Sequence, residues 1–183
     1  YVSGWKPVIK RHGLYAGDAD GLLHLERAGY KTIKYDNHKL SDAQILILGP
    51  GNKQDVSNNA KAIGKWIKSG GRVLAIGLDQ DDVNAILPLK ISILKEEHIA
   101  AYFETPEASS LFTGISPADV HNRAPKEIPL VKAGAEVIGN GILAKANNSN
   151  VIFCQLVPWQ CDYSGEQHNI KQTYRRSSYV LSR

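Results

Sequence analysis

Residues 43–80, AQILILGPGNKQDVSNNAKAIGKWIKSGGRVLAIGLDQ, decide the fold. Ile45-Leu46-Ile47-Leu48 is a continuous apolar run, the pattern of a strand covered on both faces. Gly49-Pro50-Gly51 turns the chain out of that strand. Val56, Ala60, Ile63 and Ile67 then recur at i, i+4, i+7 and i+11, one face of a helix, and Gly70-Gly71 closes it. Residues 72–76 form a second buried run that ends at Gly77. Strand, helix and strand joined by short turns make a βαβ unit, which implies a parallel sheet.

The same reading extends to both sides. Pro7-Val8-Ile9-Lys10 reads as a short strand, and residues 15–21, YAGDADG, as a turn-rich stretch. Leu22, Leu23, Leu25 and Ala28 give a helical face that stops at Gly29, and Lys31-Thr32-Ile33-Lys34-Tyr35 alternates like a half-buried strand. Beyond Gln80, residues 82–87 suggest a short helix ended before Pro88, and residues 91–94 and 100–103 suggest strands. The proline-rich stretch 106–129 reads as a long ordered loop with short helical turns. Residues 136–138, 141–145 and 150–153 resemble a meander, with Asn147-Asn148-Ser149 as a tight turn. Ile170, Tyr174, Ser178 and Leu181 then stand at helical spacing in 168–183.

The expected fold class is therefore α/β: a three-layer sandwich with a mostly parallel central sheet, plus a C-terminal β-meander and a terminal helix. At 183 residues the chain suits one domain. Its start at Tyr1 and its stop at Arg183, inside a helical pattern, read as a piece of a longer protein.

Composition narrows the function classes. Hydrophobic residues at 43% with 22% charged residues suit a globular fold. The net charge of +4 and pI near 9.0 come from scattered lysines and arginines, with only Arg175-Arg176 adjacent late in the chain. Nucleic-acid binders cluster such charge on one face among stacking aromatics, so no nucleic acid is expected as a partner. No apolar run approaches the ~18 to 20 residues that span a bilayer, and no charged-then-apolar leader opens the chain. Cys154 and Cys161 lack metal-binding spacing. Cys154 lies in an apolar run, as a buried thiol would, while Cys161 falls in a loop, and a disulfide between them stays open.

The strand ends at Gly49-Pro50-Gly51 and at 75–80, AIGLDQ, resemble two active-site corners of class I glutamine amidotransferases, a flavodoxin-like fold. In that family one corner supplies oxyanion-hole glycines and the other carries a nucleophilic cysteine. Gly77 stands here at the cysteine position. Residues 69–77, SGGRVLAIG, resemble the non-catalytic version of the fold in β-galactosidases and other bacterial glycoside hydrolases. Residues 117–123, 151–159 and 173–178 are similar to C-terminal regions of uncharacterised, often secreted, glycoside-hydrolase-like proteins. The resemblance implies a structural or interaction domain without cofactor or metal, packing against other domains of the same polypeptide or in a homo-oligomer. It further implies a domain that frames a carbohydrate site in a periplasmic or extracellular protein.

Amidotransfer needs a thiolate at a strained turn, a histidine to take its proton, a carboxylate behind that histidine, and amides aimed at the oxyanion. Gly49 and Gly51 suit the last role, although glycines also simply end a strand. The nearest cysteine to Gly77, Cys154, sits inside a strand-like run, and no acidic residue follows His168 closely enough to pair with it. The candidate crevice is then Asp18, Asp20, Gly49, Gly51, Gly77 and Asp79, at strand ends where open α/β sheets bind ligands. Asp18 and Asp20 could serve a hydrolase, with helix capping the favoured reading. A small anion at the glycine turns is a further alternative, though no P-loop or GxGxxG ending is present. His121, Arg123 and Trp159 are candidate contacts to a ligand or a neighbouring domain.

Overall fold

A computed structural model describes residues 12–122 and 125–160. The first strand, β1 (His12–Ala16), runs into helix α1 (Ala19–Arg27) and the short β2 (Thr32–Lys34). Next come β3 (Gln44–Leu48), α2 (Lys53–Val56), α3 (Ala60–Lys68), β4 (Arg72–Ile76) and α4 (Gln80–Ile86). The remainder is β5 (Ser92–His98), β6 (Lys126–Ala133), β7 (Ala135–Ile138), β8 (Leu143–Ala146) and β9 (Val151–Cys154). A seven-stranded sheet has the order β2-β1-β3-β4-β9-β8-β7, and β5 and β6 form a separate antiparallel pair. From β2 to β9 every pairing is parallel, whereas β9-β8 and β8-β7 are antiparallel. The mostly parallel α/β architecture expected from residues 43–80 is present, and the meander joins the main sheet through β9.

Side chains alternate across the strands into two cores, which is what makes the sheet a middle layer. Leu14, Leu46, Leu48, Val73, Ala75, Val151 and Phe153 pack on one face, with Ile63, Trp66 and Ile67 of α3 and Val83 and Ile86 of α4. Tyr15, Ile47, Ile76 and Cys154 pack on the other, with Leu25 of α1 and with Phe112, Ile115, Ile128 and Leu130.

Several expectations need correction. Little of the stretch 15–21 is turn: β1 extends to Ala16, with Tyr15 and Ala16 buried in the sheet, and α1 already begins at Ala19. Leu23 is exposed at 43%, while Leu25 is buried as expected and Gly21 and His24 are buried with it. The helix read through Val56 and Ile67 is broken by a 3-10 turn, Ser57–Asn59. Residues 100–103 are not a strand, and the long loop ends early at β6, which contains Pro129. That proline lies on a two-stranded sheet, where an edge tolerates a missing N–H. Pro7-Val8-Ile9-Lys10, Cys161 and the terminal helix at 168–183 lie outside the described residues.

Candidate functional site

Parallel pairing brings the carboxyl ends of β1, β3, β4 and β9 to one edge of the sheet, where Gly17 and Gly49 follow the paired Ala16 and Leu48, and Gly77 and Gln155 lie one residue further along. Backbone hydrogen bonds tie them together: Gly49 N donates to Ala16 O (2.8 Å), Asp18 N to Pro50 O (2.9 Å) and Gly77 N to Cys154 O (3.0 Å).

Beneath one side of this edge lies the Tyr15 ring. A Cβ on Gly21 would fall 2.0 Å from the Tyr15 hydroxyl, and one on Gly49 2.3 Å from it. Glycine is required at both positions because the phenol fills the space. The Tyr15 hydroxyl donates to Asp18 Oδ1 (3.2 Å), which also accepts from Gly21 N (2.7 Å), while Trp159 Nε1 donates to Asp18 Oδ2 (3.1 Å). Burial, then the charge of Asp18, pushes the Tyr15 hydroxyl far above the ordinary phenol range. The Trp159 ring lies 5.4 Å from that of His24. Burial and the nearby Arg27 lower the pKa of His24.

Asp18 is thus the N-cap of α1 and the anchor of two aromatic side chains. Asp20 is exposed in the first helical turn. Asp18 is committed to the cap while Asp20 is open to solvent. Asp79 is likewise a cap: it accepts from Asp82 N (2.9 Å) at the start of α4. Asp82 pairs with Lys53 (3.2 Å), and that carboxylate raises the lysine pKa.

On the other side of the edge a pocket of about 540 Å³ opens between the strand ends and the β5–β6 pair. Of the candidate residues it takes in Gly51, Gly77 and Asp79, and leaves out Asp18, Asp20, Gly49, His121 and Trp159. His121 is half-buried beside Asn122, which does line the pocket; Arg123 is outside the described residues. Lys53, Lys95 and Lys126 face it together with Asp82 and Glu127.

Gly77 has φ of +60°, and a Cβ there would meet Val157 Cγ2 at 2.2 Å. The strand-to-helix corner keeps a left-handed residue, but Val157 occupies the space its side chain would need. Cys154 is no substitute nucleophile, since burial pushes its thiol up to about 12.

Sequence reasoning missed Gln155. It is fully buried, its Nε2 donates to Leu78 O (3.2 Å), and its Oε1 has no partner although the residue lines the pocket. The donor to a carbonyl must be the amide nitrogen, which fixes Oε1 as the orphan. A polar residue directly after the apolar run 151–154 was the available signal. Among the described residues no group of three or more His, Cys, Asp or Glu could hold a metal, and no helix is long and apolar enough to cross a membrane.

No protein-family model and no curated protein matches the chain. Among solved structures it is similar to PurLQS from Thermotoga maritima, at 14% identity and a TM-score of 0.51, over 93% of this chain and 98% of that one. A protein described as a GMP synthase component, from Thermoplasma acidophilum, aligns at 12% identity and a TM-score of 0.49 over 94% of each chain. The fold is of the class I glutamine amidotransferase type. The reading of a structural accessory domain of a glycoside hydrolase is overturned, because a solved structure sharing this fold along nearly its whole length is PurLQS. The capping role of Asp18 removes the carboxylate hydrolase offered beside it.

Proposed function

We propose that the strand-end pocket binds a small amino acid or amino-acid amide of the glutamine class. The orphaned Oε1 of buried Gln155 carries this reading. A buried acceptor without a donor costs about 1–3 kcal/mol, and a ligand N–H recovers that loss. An ammonium or a primary amide supplies such donors. Lys53, Lys95 and Lys126 offer partners for a carboxylate, while Asp79, Asp82 and Glu127 offer partners for an ammonium group. A lining with both signs and several amides suits a zwitterion better than a simple anion. The pocket volume of about 540 Å³ also suits a ligand of this size.

The amidotransferase-type fold agrees with this ligand class. With glycine at the corner, Gly77 presents no nucleophile to the bound molecule, so the proposal is one of recognition. Calorimetric titration with L-glutamine tests it, with L-glutamate and L-asparagine alongside. Saturable binding that weakens about tenfold in Gln155→Leu supports the reading, a change matching one charge-assisted hydrogen bond. Lys95→Met, on an exposed strand position, gives a second variant that does not touch the core. Absence of saturable binding to the parent chain overturns the proposal, and so does equal affinity in both variants and the parent.

A further inference from the structure

A second cavity, of about 930 Å³, lies away from the strand ends, where α3 faces the loop joining β2 to β3. Its walls are largely apolar: Tyr35 and Leu40 from the loop, and Ala62, Ile63 and Trp66 from the helix. Tyr35, Leu40, Ile63 and Trp66 are each no more than 9% exposed, so this is a built surface and not a frayed loop.

The polar groups of the loop are already committed to holding its shape. Asn59 Nδ2 donates to Asn37 O (2.8 Å) and to the Tyr35 hydroxyl (3.2 Å), closing one end. Gln44 Oε1 accepts from Ser41 N (2.8 Å) and Ser41 Oγ (3.1 Å), which leaves Gln44 Nε2 to donate to His38 Nε2 (3.3 Å). His38 Nδ1 in turn donates to the Asp36 carboxylate. Both ring nitrogens of His38 are therefore engaged, and the loop wall is fixed from behind.

One polar group belonging to a residue that lines the cavity is unsatisfied. The indole N–H of Trp66 is buried and has no acceptor. Tryptophan can only donate there, so what is missing is an acceptor. At the rim stand Lys39 and Lys65, both exposed, against the single carboxylate of Asp42. An apolar body, an orphaned donor and a net positive rim together describe an anion with an apolar body.

We propose that this cavity binds a small aromatic carboxylate. Its ring packs against Leu40, Ala62 and Trp66, and its carboxylate takes the Trp66 N–H and faces Lys39 and Lys65. The site shares no lining residue with the strand-end pocket, so it stands or falls independently of the reading given there.

Benzoate is the probe, with benzyl alcohol as its uncharged counterpart, and the Trp66 indole N–H is followed by nitrogen-edited NMR. Trp66→Phe identifies that signal and keeps the ring body while deleting the donor. The expected result is a saturable shift of the Trp66 indole signal with benzoate and a weaker response to benzyl alcohol. Benzoate affinity, read on the probe's own ring protons, falls about three- to tenfold in Trp66→Phe, the change expected of one hydrogen bond. Ala62→Met, at an exposed helix position, fills the cavity and lowers affinity further. A Trp66 signal unmoved at tens of millimolar benzoate overturns the proposal. Unchanged benzoate affinity in Trp66→Phe and Ala62→Met overturns it as well, and equal responses to benzoate and benzyl alcohol overturn the choice of a carboxylate.

Discussion

Replacing Asp18 with alanine removes three hydrogen bonds at once, those from Gly21 N, Trp159 Nε1 and the Tyr15 hydroxyl. Losing the N-cap of α1 costs about 1 kcal/mol. The Tyr15 side chain is 1% exposed, so its hydroxyl cannot turn to water, and leaving it without an acceptor adds about 1–3 kcal/mol. The expected loss is about 2–4 kcal/mol, a fall in Tm of roughly 5–12 °C for a chain of this size. Asp18→Asn keeps a competent cap but presents an NH2 group to one of its two aromatic donors, so it loses only about 1–2 kcal/mol. Urea unfolding followed by tryptophan fluorescence measures both. If Asp18→Ala stays within about 0.5 kcal/mol of the parent, or if the asparagine and alanine variants are equally unstable, the account of Asp18 as an anchor is wrong.

Other substitutions test the corner, the helix and the buried thiol. Gly77→Ala places a Cβ against Val157 at positive φ and should cost about 2–4 kcal/mol; adding Val157→Ala should recover the packing part, a coupling of at least about 1 kcal/mol in a double-mutant cycle of urea midpoints. Gly64→Ala lies inside α3, where a Cβ would make ordinary contact with Pro88 at 3.7 Å, so it should stabilise by about 0.5–1 kcal/mol in the same assay. Burial raises the Cys154 pKa from the ordinary 9.0 to about 12, so the folded state holds this proton more tightly than the unfolded one. Its stabilising contribution is therefore complete below pH 9 and is lost as pH rises towards 12, on the order of 1 kcal/mol by pH 10. In a Cys161→Ser background, Ellman's reagent at pH 8 should leave Cys154 unmodified until urea unfolds the chain, and rapid labelling of the folded protein would contradict its burial.

The βαβ unit at 43–80 was legible because its strands are covered on both faces and its turns are glycines, so pattern and burial coincide. Elsewhere tertiary packing decided. In β1, Gly13 and Ala16 carry too little side chain to signal a strand, and Tyr15 is buried only because Gly17, Gly21 and Gly49 make room for its hydroxyl. In β6, Pro129 reads as a breaker, yet it pairs with Lys95 on an edge where the missing N–H is harmless. The capping character of Asp18 followed from its place before a helical pattern, but its bond to Trp159, 141 residues away, could not. Gln155 was invisible for a similar reason: a glutamine after a strand is usually solvated, and only the sheet shows that this one is buried with half its amide unpaired.

The most direct test of the central claim is a crystal structure of the chain grown with saturating L-glutamine. Glutamine recognition at this site predicts ligand density in the strand-end pocket, with a nitrogen within hydrogen-bond distance of Gln155 Oε1 and the carboxylate among Lys53, Lys95 and Lys126. An empty pocket with Gln155 Oε1 still unpartnered, or glutamine bound elsewhere, would contradict it.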